Sequence, residues 1–185
     1  SPLNPASPRM SQVNIPQTTA TLKNGTVVTL RPLRADDRER MAQAVRGLAP
    51  QTIYTRLFSH RKDLTEVGLD RIMRADDERE IVIVATTGVG ADEAIVGGGR
   101  YIVTGEDRAE IAFTVEEDCH GQGVAGRLFA ALVDAARARG ITVFEADVLS
   151  ENPSMLRVFE RTGLPMQKRS EGGTVHLELT LPRQA

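Results

Sequence analysis

The stretch Val115-Glu-Glu-Asp-Cys-His-Gly-Gln-Gly-Val-Ala-Gly-Arg-Leu128 decides how this chain folds. The apolar run Ile111 to Val115 reads as a strand that enters a turn with glycines at 121, 123 and 126. An amphipathic helix over 123–139 follows at once, closed by Gly140 at the position after its C-cap. Strand, glycine-rich loop and helix N-terminus together turn several backbone N–H groups into one concavity. The helix dipole adds partial positive charge there, so the loop suits an anion, most naturally a phosphate. Glycine lets the backbone come close to such a ligand.

The letters exclude one phosphate binder and argue against another. Gly-x-x-x-x-Gly-Lys-Ser/Thr is absent, which argues against a nucleoside triphosphatase. Gly121-x-Gly123-x-x-Gly126 fits a dinucleotide fingerprint by spacing. Yet only Glu145 and Asp147 could serve as its downstream acidic residue, and no repeated mononucleotide-binding half is visible.

Downstream lies a strand over 142–149, then Glu151-Asn-Pro-Ser-Met-Leu-Arg-Val-Phe-Glu-Arg-Thr-Gly-Leu164. With this segment the chain resembles the GNAT superfamily of acyl-CoA-dependent N-acyltransferases. Their pyrophosphate loop reads Gln/Arg-x-x-Gly-x-Gly/Ala, matched by His120-Gly121-Gln122-Gly123-Val124-Ala125 except at the first position. Their Asn-helix-Gly-Phe signature is matched by Asn152 through Gly163-Leu164. Further upstream, Leu30-Arg-Pro-Leu-Arg-Ala-Asp-Asp37, Gly47-Leu-Ala-Pro-Gln-Thr-Ile-Tyr-Thr-Arg-Leu-Phe58 and Ala109-Glu-Ile-Ala-Phe-Thr-Val115 are similar to the bacterial Pat-type protein-lysine acetyltransferases, which modify acyl-CoA synthetases. The resemblance covers about residues 25–181.

Composition agrees with an enzyme of this size and narrows its partners. The 185 residues suit one domain, and 41% hydrophobic with 26% charged residues is an ordinary globular balance. A formal net charge of −2 gives no basic field for nucleic acid or anionic membrane, and 4% aromatics without Trp disfavour base-stacking platforms. No apolar run approaches the roughly 20 residues of a bilayer span. One Cys excludes an internal disulfide framework and fits a reducing, cytoplasmic setting. The expected partners are acetyl-CoA and an acceptor amine, with neither nucleic acid nor membrane, and a homodimer is compatible with the sequence.

Residues 1–20, with Pro2, Pro5, Pro8 and Pro16 among polar neighbours, read as a flexible leader, and 21–185 as the acetyltransferase domain. A first strand is expected over 26–33, and three helices over 36–47, 50–58 and 64–74. Strands follow over 81–87, 94–104 and 109–115, and after the loop and helix come strands over 142–149, 165–170 and 174–181. The resulting order, β-ααα-β-β-β-α-β-α-β-β, is that of a mixed, mostly antiparallel sheet of six to seven strands flanked by helices. It agrees with the GNAT acyltransferase fold.

The resemblance assigns roles residue by residue. Glu110 aligns with the glutamate of the Ala-Glu-x-Ala segment used as general base by Pat-type enzymes; otherwise it is a strand-end carboxylate, solvated or paired with Arg108. Glu116 and Glu117 stand behind it as alternatives. Phe113, Thr114 and Val115 would offer backbone N–H groups to the thioester and pair with pantetheine as an added strand. His120, Gly121, Gln122, Gly123, Val124, Ala125, Gly126 and Arg127 would hold the pyrophosphate. Asn152, before Pro153, reads as a helix cap, and the resemblance also makes it a contact for the pantetheine or thiol end of the cofactor.

Several departures and rivals bear on mechanism. Phe159 stands where many relatives carry a Tyr that protonates the departing thiolate, and Tyr54 and Tyr101 replace it by residue type only. Cys119 as an acyl-carrying nucleophile has no partner beyond its sequence neighbour His120, and adjacent residues of an extended chain point apart. His60, His120 and His176 with one Cys lack metal-like spacing, so no metal is expected. Gly97-Gly98-Gly99, with no helix after it, reads as a strand bulge near a substrate cleft. Two other functions remain open: transfer to a small amine, and a non-catalytic acyl-CoA sensor.

Overall fold

The computed structural model describes residues 15–46, 66–74, 78–115 and 123–183. Eight strands form one sheet: β1 Thr18–Thr21, β2 Val27–Pro32, β3 Glu80–Thr87, β4 Ala94–Val103, β5 Arg108–Val115, β6 Val143–Leu149, β7 Met166–Glu171 and β8 Thr174–Thr180. Their order across the sheet is β1-β2-β3-β4-β5-β6-β8-β7. Every pairing is antiparallel except β5 with β6. A parallel pair needs a crossover, and α3, Val124–Ala138, supplies it between those two strands. The other helices are α1 Arg38–Arg46, α2 Glu66–Met73 and α4 Pro153–Glu160.

The mixed sheet flanked by helices is the expected architecture, with eight strands where six to seven were expected. The added strand is β1, and it also moves the boundary of the expected leader. Thr18–Thr21 pairs in register with Val27–Leu30, and Ile15 packs against the core, so ordered structure begins ahead of residue 21. Its sequence, Thr-Thr-Ala-Thr, has no apolar alternation, so only pairing with β2 reveals it. The expected helix over 50–58 lies outside the described residues.

Alternation along β5 sets the two faces of the sheet. Ala109, Ile111, Phe113 and Val115 are buried, whereas Arg108, Glu110, Ala112 and Thr114 are intermediate. The first set meets α3, whose Val124, Leu128, Leu132 and Ala136 recur every four residues and are all buried. Phe113, Phe129 and Phe159 stack mutually at 5.9 to 6.0 Å between centroids, joining β5, α3 and α4. Burying each such ring contributes about 1.5–3 kcal/mol.

The triple glycine divides its work between the faces. A Cβ on Gly99 would lie 2.8 Å from the Phe113 ring and 3.0 Å from Leu132, and one on Gly97 would lie 3.2 Å from Val124. These two glycines therefore let α3 settle onto β4. The bulge expected at 97–99 sits just before them: Ala85 pairs with Gly97 and Thr86 with Ile95, which leaves Val96 as the extra residue.

On the opposite face, an ion-pair network fixes the start of α1. Arg31 donates to both oxygens of Asp37 at 2.8 Å, and to Glu93 Oε1 at 2.8 Å. Arg40 on α1 donates to Asp37 at 3.0 Å. Arg31 and Asp37 are almost wholly buried, with side chains 3% and 0% exposed. Burial opposes ionisation of Asp37, but bonds from Arg31, the Arg34 backbone and Arg40 outweigh it and hold its pKa below the usual carboxylate range.

Candidate functional site

β5 and β6 pair only at Arg108–Val143, Ala109–Phe144 and Glu110–Glu145. β6 continues to Leu149, paired throughout with β8 as far as Thr174. Past Glu110, no strand among the described residues pairs with β5 on its β6 side. A wedge therefore opens in the sheet along residues 111–115, with strand backbone on one wall.

The wide end of the wedge leads to the start of α3. Gly123 is its N-cap at φ 94°, a left-handed backbone that glycine adopts without strain, and it brings no side-chain cap. The N–H groups of the first turn thus meet no capping oxygen from that position. A Cβ on Gly123 or on Gly126 would meet none of the described residues within 4 Å. A backbone edge leading to a helix N-terminus without a side-chain cap from its N-cap residue fits an elongated ligand that ends in phosphate. Val124 is buried, Ala125 partly so, and Gly126 and Arg127 are exposed. The structure therefore gathers the expected Phe113, Thr114, Val115, Gly123, Val124, Ala125, Gly126 and Arg127 around one feature. Glu116, Glu117, Cys119, His120, Gly121 and Gln122 lie outside the described residues, as does Tyr54.

Glu110 stands at the closed end of the wedge, half-buried, on the face away from α3. Its register partners are Ile102 on β4 and Glu145 on β6, and Glu145 pairs in turn with Glu178 on β8. Three glutamates thus form one cross-strand row. Arg108 donates to Glu145 at 3.2 Å and to Glu178 at 2.7 Å, and His176 Nδ1 lies 2.8 Å from Asp147. Glu145, His176 and Glu178 converge closely enough to suggest a metal, but the Arg108 guanidinium already bridges both carboxylates. No metal site is assigned to them. Sequence reading missed this row because its members lie more than thirty residues apart and meet only by strand register.

Asn152 caps α4: its Oδ1 accepts from the Met155 backbone N–H at 3.2 Å, with Pro153 at the first helical position. The residue is buried, 7% exposed. Phe159 is buried against Phe113. Tyr101 is fully buried against Phe144 on the α3 face, and burial pushes its phenol pKa up despite nearby Arg139. A phenol so placed, toward the C-terminal end of α3, is a structural residue rather than an acid for the wedge.

A family model described as acetyltransferase (GNAT) matches residues 49–164, more than half of the chain. The chain belongs to the acetyltransferase (GNAT) family. It is 31% identical over 163 residues to the acetyltransferase Pat of Mycolicibacterium smegmatis, covering 87% of this chain and 48% of that protein. It is 33% identical over 120 residues to the acetyltransferase PA5475 of Pseudomonas aeruginosa, covering 64% of each. The chain thus spans less than two thirds of the length of both curated relatives. Among solved structures, the GNAT domain of S. lividans PAT aligns at a TM-score of 0.78 and 28% identity, covering 89% of this chain and 97% of that one. A cAMP-binding acyltransferase from Mycobacterium smegmatis aligns at 0.63 and 28%, covering 94% of this chain and 49% of that one. In this GNAT chain, β5 parts from β6 on the side of the sheet that leads to the start of α3.

Among the described residues no helix is long and apolar enough to cross a membrane.

Proposed function

We propose that this chain is an acetyl-CoA-dependent N-acetyltransferase domain whose acceptor is a protein lysine, with transfer by direct attack in a ternary complex. The observation that carries the reading is the separation of β5 and β6 immediately after Glu110. It sets a carboxylate beside a strand edge that can receive amides, on the same line as the start of α3, whose N-cap Gly123 brings no side chain. The Pat proteins among the relatives support the acceptor class.

Acetyl-CoA, when bound, supplies an acyl thioester. The chain's own task is to hold it, deliver a neutral amine and stabilise developing charge. The first turn of α3, Val124 to Arg127, would hold the pyrophosphate with the loop before it, and backbone N–H groups of Phe113–Val115 would face the thioester carbonyl. Fixed donors of this kind act because they are oriented before the oxyanion forms. A lysine amine, pKa about 10.4, costs about 4–5 kcal/mol to deprotonate at pH 7. Glu110 takes that proton, either directly or through one water. The neutral amine nitrogen would add to the carbonyl carbon, the C–S bond would break as the oxyanion collapses, and the second proton of the nitrogen would pass to water. With Phe159 at the α4 position, the thiolate takes its proton from solvent.

The test is release of free thiol from acetyl-CoA with a purified acyl-CoA synthetase as acceptor, against a panel of polyamines, amino acids and aminoglycosides. Lysine acetylation of the synthetase, mapped by mass spectrometry, is the expected result. Turnover confined to the small amines would move the acceptor class, and cofactor binding without any turnover would leave a sensor.

A further inference from the structure

On the face opposite α3, a cavity of about 270 Å³ lies under α1 and α2 and above β3, β4 and β5. Its floor is built from small groups. Gly98 pairs with Thr114, and Ala112 with Arg100, so the floor has no side chain at one position and a methyl at the next. A Cβ on Gly98 would meet only Ile83 O at 3.6 Å and Val84 at 3.9 Å, which are ordinary contacts. This glycine is needed neither for backbone strain nor for helix packing, unlike its two neighbours. What it provides is space.

We propose that this cavity receives the acyl chain of a donor longer than acetyl, an acyl-CoA with about four to six acyl carbons, with Gly98 setting the chain length accepted. The proposal rests on the acyl-CoA reading given above. Three observations choose this occupant over the acceptor side chain. The walls are mainly apolar, with Val82, Val84, Ile95 and Leu69 among them. The charged side chains lining it among the described residues are Arg40 and Arg100, already paired with Asp37 and Glu80, and no carboxylate lines it there to receive a lysine ammonium. Finally, Thr114 Oγ1 is buried with no hydrogen-bond partner among the described residues, on the β5 wall of the cavity. A chamber lined in this way suits an apolar tail.

Position agrees as well. Ala112 and Thr114 belong both to the cavity floor and to the stretch of β5 that borders the wedge, so one strand is common to the two spaces. At roughly 30 Å³ per water-sized group, the chamber has room for several methylenes.

The experiment is calorimetric titration of CoA, acetyl-CoA, butyryl-CoA and hexanoyl-CoA into the whole chain and into Gly98→Val, with Gly98→Ala as a milder variant should valine impair folding. Burial of each methylene strengthens binding by up to about fourfold. Wild type is expected to hold hexanoyl-CoA at least about tenfold more tightly than acetyl-CoA, and that ratio should collapse to under about threefold in Gly98→Val. Equal affinity for all three esters in wild type overturns the proposal, as does a ratio that survives the substitution. A Gly98→Val variant that keeps the ratio and weakens the acceptor KM instead would assign the cavity to the acceptor. Failure of CoA itself to bind would remove the acyl-CoA reading beneath the proposal, and is distinguishable because no ester would then register.

Discussion

Glu110 on β5 and Glu145 on β6 are the last residues held in register before their strands part. The pairing sets Glu110 at the narrow end of the wedge, so the sheet itself fixes where this carboxylate stands relative to the open edge of β5. A side chain carried on a paired strand is positioned by ladder hydrogen bonds rather than by a loop, which suits a group that must meet an amine within hydrogen-bond reach.

Substituting Glu110→Gln should lower kcat for lysine acetylation by about 100-fold or more, the usual contribution of acid–base catalysis. The amide preserves size and polarity, so CoA should still bind. Stopped-flow thiol release alongside calorimetry separates the two. Undiminished turnover would move the proton to another group and leave the fold assignment intact.

Gly99→Ala should destabilise the chain by about 1–3 kcal/mol, because the new methyl would sit 2.8 Å from a Phe113 ring already packed between Phe129 and Phe159. At roughly 2–4 °C of Tm per kcal/mol in a chain of this size, the melting temperature should fall by about 2–12 °C. Gly98→Ala, one residue away on the open face, should shift it by far less. Differential scanning calorimetry on the two variants decides this, and equal losses would mean that the glycine pattern is read wrongly.

Much of this was legible because local signals and global fold agreed. The α3 face repeats every four residues, and Gly140 closes the helix as expected: Ile141 N–H reaches Ala136 O at 3.0 Å and Gly140 N–H reaches Arg137 O at 3.1 Å. Alternation in β5 likewise announced a half-buried strand. What stayed hidden depends on contacts between distant segments. The strand Thr18–Thr21 carries no pattern of its own, and the Glu110–Glu145–Glu178 row exists only once β5, β6 and β8 lie side by side. The separate duties of Gly97, Gly98 and Gly99 also needed the position of α3, since three identical residues give no clue to which face each serves.

Stability should depend on pH through Asp37. Its folded pKa is held below the ordinary value, so its contribution is present above the unfolded pKa of about 3.9 and is lost as pH falls through the lower folded pKa. Removing one partner of a buried pair typically costs about 3–5 kcal/mol, because Arg31 would lose its bidentate acceptor. Asp37→Asn should therefore be much less stable than wild type at pH 7, and the difference should shrink progressively below about pH 4. Urea denaturation at a series of pH values tests this; a difference that is constant down to pH 2 would exclude an ionised Asp37 as its source.

Asn152 performs a structural task that can be separated from any contact with a cofactor. Its Oδ1 caps α4 through the Met155 N–H, and replacing a cap with alanine costs about 1 kcal/mol. Asn152→Ser keeps an acceptor oxygen at the cap and removes the amide N–H groups. Asn152→Ala should therefore lower both Tm and CoA affinity, whereas Asn152→Ser should hold Tm near wild type and still weaken CoA binding by about three- to tenfold, the loss of one hydrogen bond. A serine variant with both properties intact would reduce Asn152 to a helix cap and take it out of the cofactor site.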